Sequence, residues 1–155
     1  MTFWDRAAGL WSLVPARTRT ALVRLANHRV SLGVVGLIDD GEGRLLVLDH
    51  RFRPRWTWGL PGGFVRAGER LDAALEREIR EETGLRIAVD PAPFDVEHLV
   101  GPALVSVALR ARMVGGTAIA LSPEIREARW VQPGEQPPET YPHHAALIDG
   151  LRKPG

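Results

Sequence analysis

The stretch GFVRAGERLDAALEREIREETGL, residues 63–85, decides how this chain folds. It opens on a glycine, runs into a segment with Leu71, Leu75 and Ile79 on one stripe, and stops at Gly84. Leu71 to Thr83 therefore reads as a helix, with Gly84 at the position that favours a left-handed cap. On a helix turning about 100° per residue, Glu78, Glu81 and Glu82 fall within about 100° of one another, beside the apolar stripe. Taken alone, an E-x-x-E-E cluster is more often a solvated helix face. Here it adjoins the face that must be buried, where three like charges are costly unless a positive group joins them. A divalent cation meets that need. Oxygen-only ligands point to a hard one, magnesium or manganese, in preference to zinc.

Working outward, Val30 to Ile38 and Leu45 to Leu48 have strand composition and flank the turn Asp39-Asp40-Gly41-Glu42-Gly43, which predicts a hairpin. Trp56 to Leu60 then leads into Pro61-Gly62-Gly63, so the helix is expected after a third strand. Beyond the helix, strands are expected at about 85–89, 95–100, 103–113 and 126–131, with turns at Gly115-Gly116 and Ser122-Pro123. The proline-rich 133–142 reads as a loop, and a helix over about 143–152 completes the chain. Helices around such strands predict an α/β/α sandwich with a mixed β-sheet over 29–155.

Residues 1–28 predict an N-terminal helical extension packed on that domain, with one or two amphipathic helices broken near Pro15. The segment could also serve a homodimer contact, or lie on a membrane surface through Arg6, Arg17, Arg19 and Arg24. Its longest uncharged stretch is short and Asp5 sits early, so it is expected to belong to the mature protein.

At 155 residues and 45% apolar composition, the chain has enough material for one globular domain with a real core. It has no cysteine, which excludes thiolate zinc sites, disulfide frameworks and a cysteine nucleophile, and suits a cytoplasmic location. A net charge of +1 argues against nucleic acid as the main partner. No apolar run approaches the roughly 20 residues that span a bilayer.

Gly63, Glu69, Arg77, Glu78, Ile79, Glu81, Glu82, Gly84 and Leu85 fall at the spacing G-x5-E-x7-R-E-U-x-E-E-x-G-U, with U aliphatic. At residue usages of about 5–7%, these nine positions match by chance at about 10⁻¹⁰ per start. The segment resembles the Nudix box, with every defining position filled. The resemblance extends more loosely to Trp58–Gly63 and to Glu127–Trp130. It implies hydrolysis of a pyrophosphate bond in a nucleoside diphosphate derivative, a small nucleotide such as ADP-ribose, another nucleotide sugar, a dinucleoside polyphosphate or a nucleoside triphosphate.

By the same resemblance Glu78, Glu81 and Glu82 would bind Mg2+ or Mn2+, with Glu69 in a supporting or metal-linked role. Arg77 would pair with a box carboxylate, and Gly62, Gly63 and Gly84 would set the backbone. Glu124, before the strand ending at Trp130, stands where relatives often carry an acidic ligand or base; Glu97 and Asp95 are weaker candidates. Arg51, Arg53 and Arg55 are candidate phosphate contacts, and Trp58 (or Trp56) a candidate stacking surface. Pro102 lies near a proline of relatives acting on ADP-ribose. Two other readings stay open, a catalytically silent nucleotide sensor and an RNA-end pyrophosphohydrolase.

Overall fold

The computed structural model describes residues 13–20, 30–99, 103–115 and 119–151. The chain divides into two units, Met1–Val30 and Ser31–Gly155. In the first, residues 16–20 form a helical turn, with the Arg19 amide donating to Pro15 O and Thr20 Oγ1 to Ala16 O, both at 3.0 Å. Residues 1–12 and 21–29, which carry most of the expected extension, lie outside the described residues.

Among its described residues the second unit is built on seven strands: β1 (Ser31–Asp39), β2 (Leu45–His50), β3 (Trp58–Gly59), β4 (Gly62–Phe64), β5 (Arg86–Leu99), β6 (Leu104–Gly115) and β7 (Ile125–Val131). The described residues of this unit also form two helices, α1 (Leu71–Thr83) between β4 and β5 and α2 (Pro142–Asp149) after β7. The strands form one sheet in the order β3-β2-β1-β6-β5, with β4 paired to β1 and β7 to β2. β1 and β6 run parallel from Ser31↔Leu104 to Asp39↔Arg112, and the other pairings are antiparallel. The sheet is mixed.

Strand alternation makes two cores. Leu46 and Leu48 of β2 face one side, with Ala74, Leu75 and Ile79 of α1. Leu45 and Val47 face the other, with Trp58, Leu60 and Ile148 of α2. One helix per face gives the α/β/α sandwich. Leu75 and Ile79 are fully buried, and each contributes about 1.5–3 kcal/mol by leaving water. That burial fixes the rotation of α1, and with it the direction of its glutamates.

Several expectations change. Gly62–Phe64 pairs with β1 (Val34↔Gly63, Val35↔Gly62), so α1 follows a fourth strand, not a third. The strands expected at 85–89 and 95–100 are one, β5, whose Pro91 and Pro93 are absorbed by register shifts at the edge of the sheet. The β1–β2 hairpin pairs only at Asp39↔Leu45, because β2 spends its length against β7. α2 ends at Asp149, with Gly150 as its cap. Among the described residues no helix is long and apolar enough to cross a membrane.

Candidate active site

The site grows from α1 and the β4 turn laid over it. Pairing of β4 to β1 carries Gly62 and Gly63 across the glutamate flank of the helix. Gly62 takes φ 145, and its amide donates to Glu82 Oε2 at 3.2 Å. Gly63 leaves room for a carboxylate: a Cβ there would lie 2.5 Å from the Glu78 carboxyl carbon. At the far end Gly84 caps α1 at φ 72, its amide donating to Arg80 O.

Arg77 fastens the loop to the helix. Its Nε and Nη2 donate to the two Glu69 oxygens at 2.8 and 2.9 Å, its Nη1 to Glu78 Oε1 at 2.7 Å, and its Nη2 to Phe64 O at 3.0 Å. The guanidinium fork, then the Arg66 amide at 2.9 Å, hold Glu69 well below the usual carboxylate range, at about 2. Glu81 is half exposed, 3.4 Å from both Arg66 and Arg77.

Glu124 arrives on the loop before β7. The Ser122 amide donates to Glu82 O at 3.0 Å, the Arg51 amide to Glu124 O at 2.8 Å, and Arg51 Nε to Pro123 O at 2.8 Å. Glu78, Glu81, Glu82, Glu124, Arg77 and His50 thus line one cleft of about 590 Å³, floored by Gly62 and Gly63.

The charge balance in this cleft is uneven. Burial pushes Glu82 up to about 8; Glu78 and Glu124 push the same way, while the Gly62 amide and Arg53 oppose them. His50, on β2, lies with Nδ1 3.9 Å from Glu82 Oε1, but burial pushes it down to about 3. It is therefore neutral and does not balance the carboxylate. His50 Nε2 is also the one buried side-chain polar atom without a partner among the described residues.

Among the described residues no three acidic or imidazole groups already stand at metal-holding separations. The donor set nonetheless fits a hard cation. Carboxylate oxygens line one cleft, and the most buried of them, on Glu82, has the Arg53 charge nearby but no ion pair with a charged side chain among the described residues. Glu78, Glu81 and Glu82 could hold such an ion, with Glu124 within the same cleft.

Across Gly62–Phe64 lies a second cavity of about 580 Å³, bordered by Arg53, Arg55, Trp56, Glu97, Tyr141 and His144. Trp56 packs edge-on to Tyr141 with ring centroids 5.7 Å apart, and the Arg55 guanidinium lies 4.2 Å over its ring. A third cavity of about 630 Å³, between Leu37, Leu45, Arg110 and Leu151, is lined by neither set.

Arg53 and Arg55 therefore border the second cavity, whereas Arg51 is spent on the 122–124 loop. Trp58 lines neither cavity and is corrected as a stacking surface. β3 pairs Trp58 with Asp49, and its ring, 8% exposed, fills the α2-side core beneath Arg129. Trp56 takes the open position. Asp95 and Glu97 do not line the acidic cleft; they are bonded to His143 and Tyr141 at 2.8 Å each. Pro102 lies outside the described residues. Sequence reasoning missed His50, Tyr141 and His144, none of which sits in a motif.

A family model for the NUDIX domain matches residues 27–151. The MutT-like protein of Streptomyces ambofaciens is 32% identical over 105 residues, which cover 68% of this chain and 66% of that protein. The NAD-capped RNA hydrolase NudC of Pseudomonas aeruginosa is 29% identical over 71% of this chain, but the match spans only 39% of NudC. A solved NUDIX hydrolase from Nitrosomonas europaea superposes with a TM-score of 0.69, covering 77% of this chain and 68% of that one at 21% identity, a likeness of fold.

Proposed function

The chain belongs to the NUDIX family, and we propose that it is a divalent-metal-dependent hydrolase cleaving a pyrophosphate bond in a nucleoside diphosphate derivative. The observation that carries this reading is Glu82. It is a buried carboxyl group with no ion pair to a charged side chain among the described residues, bonded to the Gly62 amide, in a solvent-open cleft shared with Glu78, Glu81 and Glu124.

In this reading Glu78, Glu81 and Glu82 hold Mg2+ or Mn2+. When bound, the ion neutralises phosphate oxygens and lowers the pKa of a coordinated water. The protein's own part is positioning. Arg77 aims Glu78 and anchors Glu69, so the loop and helix keep one geometry. Gly62 and Gly63 let the diphosphate approach the backbone closely. In this reading Glu124, whose loop is tethered through Arg51 and Ser122, takes a proton from the attacking water. Water oxygen bonds to one phosphorus as the bridging P–O bond breaks, leaving two phosphate esters.

The test is a hydrolysis panel on the purified protein: ADP-ribose, other nucleotide sugars, dinucleoside polyphosphates, NADH, nucleoside triphosphates and NAD-capped RNA. Each is run with magnesium, with manganese and with chelator. Metal-dependent cleavage of one class supports the reading. Nucleotide binding without any cleavage overturns it in favour of a sensor.

A further inference from the structure

The second cavity presents a cation and a carboxylate that share a wall without bonding each other. Arg53 borders it and makes no side-chain hydrogen bond or ion pair among the described residues, although it is largely buried. Glu97 accepts the Tyr141 hydroxyl at Oε1, 2.8 Å away, which leaves Oε2 without a partner among the described residues. Such groups are costly to desolvate unless something pairs with them.

His144 adds a donor of fixed identity. The Leu60 amide, 3.0 Å from His144 Nδ1, can only donate, so Nδ1 accepts. Burial pushes His144 down to about 3, so the ring is neutral and carries its proton on Nε2. His144 Nε2 has no partner among the described residues. The ring borders the cavity, where that N–H is available to a ligand.

Apart from Arg55, whose guanidinium lies over the Trp56 ring, and Ser106, the remaining wall is mostly apolar or aromatic, with Val35, Leu104, Trp56 and Phe64, the last 63% exposed. A flat neutral ring suits these surfaces. A further phosphate would be attracted by Arg53 and Arg55 but repelled by the free Glu97 oxygen, whereas a base N–H satisfies that oxygen.

We infer that this cavity holds the substrate's nucleobase and selects bases with a lactam edge, guanine and uracil, over adenine and cytosine. Such a base sets a carbonyl oxygen beside a ring N–H. The carbonyl accepts from Arg53 and His144 Nε2, and the N–H donates to Glu97 Oε2. Adenine and cytosine reverse the edge, with an amine beside an unprotonated ring nitrogen, which turns hydrogen against donors and a lone pair against the carboxylate. The assignment of a nucleotide to the cavity rests on the proposed function; the base preference rests on Arg53, Glu97 and His144.

The test is calorimetric binding of GMP, UMP, AMP and CMP to the full chain in chelator, where no hydrolysis intervenes. GMP and UMP are expected to bind at least about tenfold more tightly than AMP and CMP. Glu97→Gln should abolish that ratio. Arg53→Gln gives the same readout should Glu97→Gln fail to fold. His144→Asn, whose Oδ1 can still accept from Leu60, should reduce the ratio without unfolding the chain. Equal binding of all four, tighter AMP, absence of binding, or an unchanged ratio in folded Glu97→Gln or Arg53→Gln overturns the inference. Hydrolysis in the panel with equal binding here removes only the base preference. Discrimination here without hydrolysis removes only the catalytic reading.

Discussion

Gly63 and Glu78 share one space: a Cβ on Gly63 would stand 2.5 Å from the Glu78 carboxyl carbon and 2.6 and 2.7 Å from its oxygens. The obstruction is the far end of a flexible side chain, which can move aside. Gly62 is different. At φ 145 its Cβ would stand 2.8 Å from Val35 Cα and closer still to Val34 O, neither of which can move without breaking β1.

Gly63→Ala is therefore expected to fold within about 1 kcal/mol of wild type while losing about tenfold or more in magnesium affinity, because Glu78 is displaced. Gly62→Ala is expected to lose about 3 kcal/mol or more. Urea unfolding with magnesium titration checks both. A Gly63→Ala protein of unchanged magnesium affinity would contradict the assignment of Glu78.

Arg77 reaches Glu69 with two nitrogens and Glu78 with a third contact, an arrangement a lysine cannot copy. Arg77→Gln and Arg77→Lys are both expected to weaken magnesium binding by about 10- to 100-fold. Recovery of wild-type affinity in the lysine variant, read by calorimetry, would show that charge alone suffices.

Glu82 gives a pH signature. Its carboxyl is raised from 4.5 to about 8 in the folded chain. Between those values the folded state binds more protons than the unfolded one, so the Glu82 contribution is intact below pH 4.5 and is lost as pH rises through 8. Metal-free Glu82→Gln should match wild type near pH 4.5 and exceed it by about 1–3 kcal/mol at pH 8.5. His50 and His144 behave oppositely. Lowered from 6.5 to about 3, they contribute above pH 6.5 and lose that contribution as pH falls toward 3, equally in both proteins. Denaturant titrations in chelator at the two pH values check this. A variant no more stable than wild type at pH 8.5 would contradict a buried, uncompensated Glu82.

The parts legible in the sequence are those with local signals. Leu71, Leu75 and Ile79 set the helix face, and Gly84 its end, within one short segment. Pairings between distant segments left no such trace. β2 reads as the partner of β1, and only the fold shows that β7 takes most of its edge. Alternation says that one of Trp56 and Trp58 goes inward, but the choice depends on β3 pairing with β2. The Leu60–His144 bond joins residues 84 apart in the chain, and neither neighbourhood announces it. Arg51, Arg53 and Arg55 look equivalent in sequence, yet Arg51 bonds the 122–124 loop while Arg53 and Arg55 border the second cavity.

The most direct measurement is steady-state hydrolysis of the best panel substrate at saturating magnesium by wild type and by the Glu81→Gln, Glu82→Gln double variant. Circular dichroism and thermal unfolding would establish that the variant is folded. The account predicts a loss in kcat of about 10³-fold or more with the fold retained. Wild-type turnover by a folded double variant would contradict it.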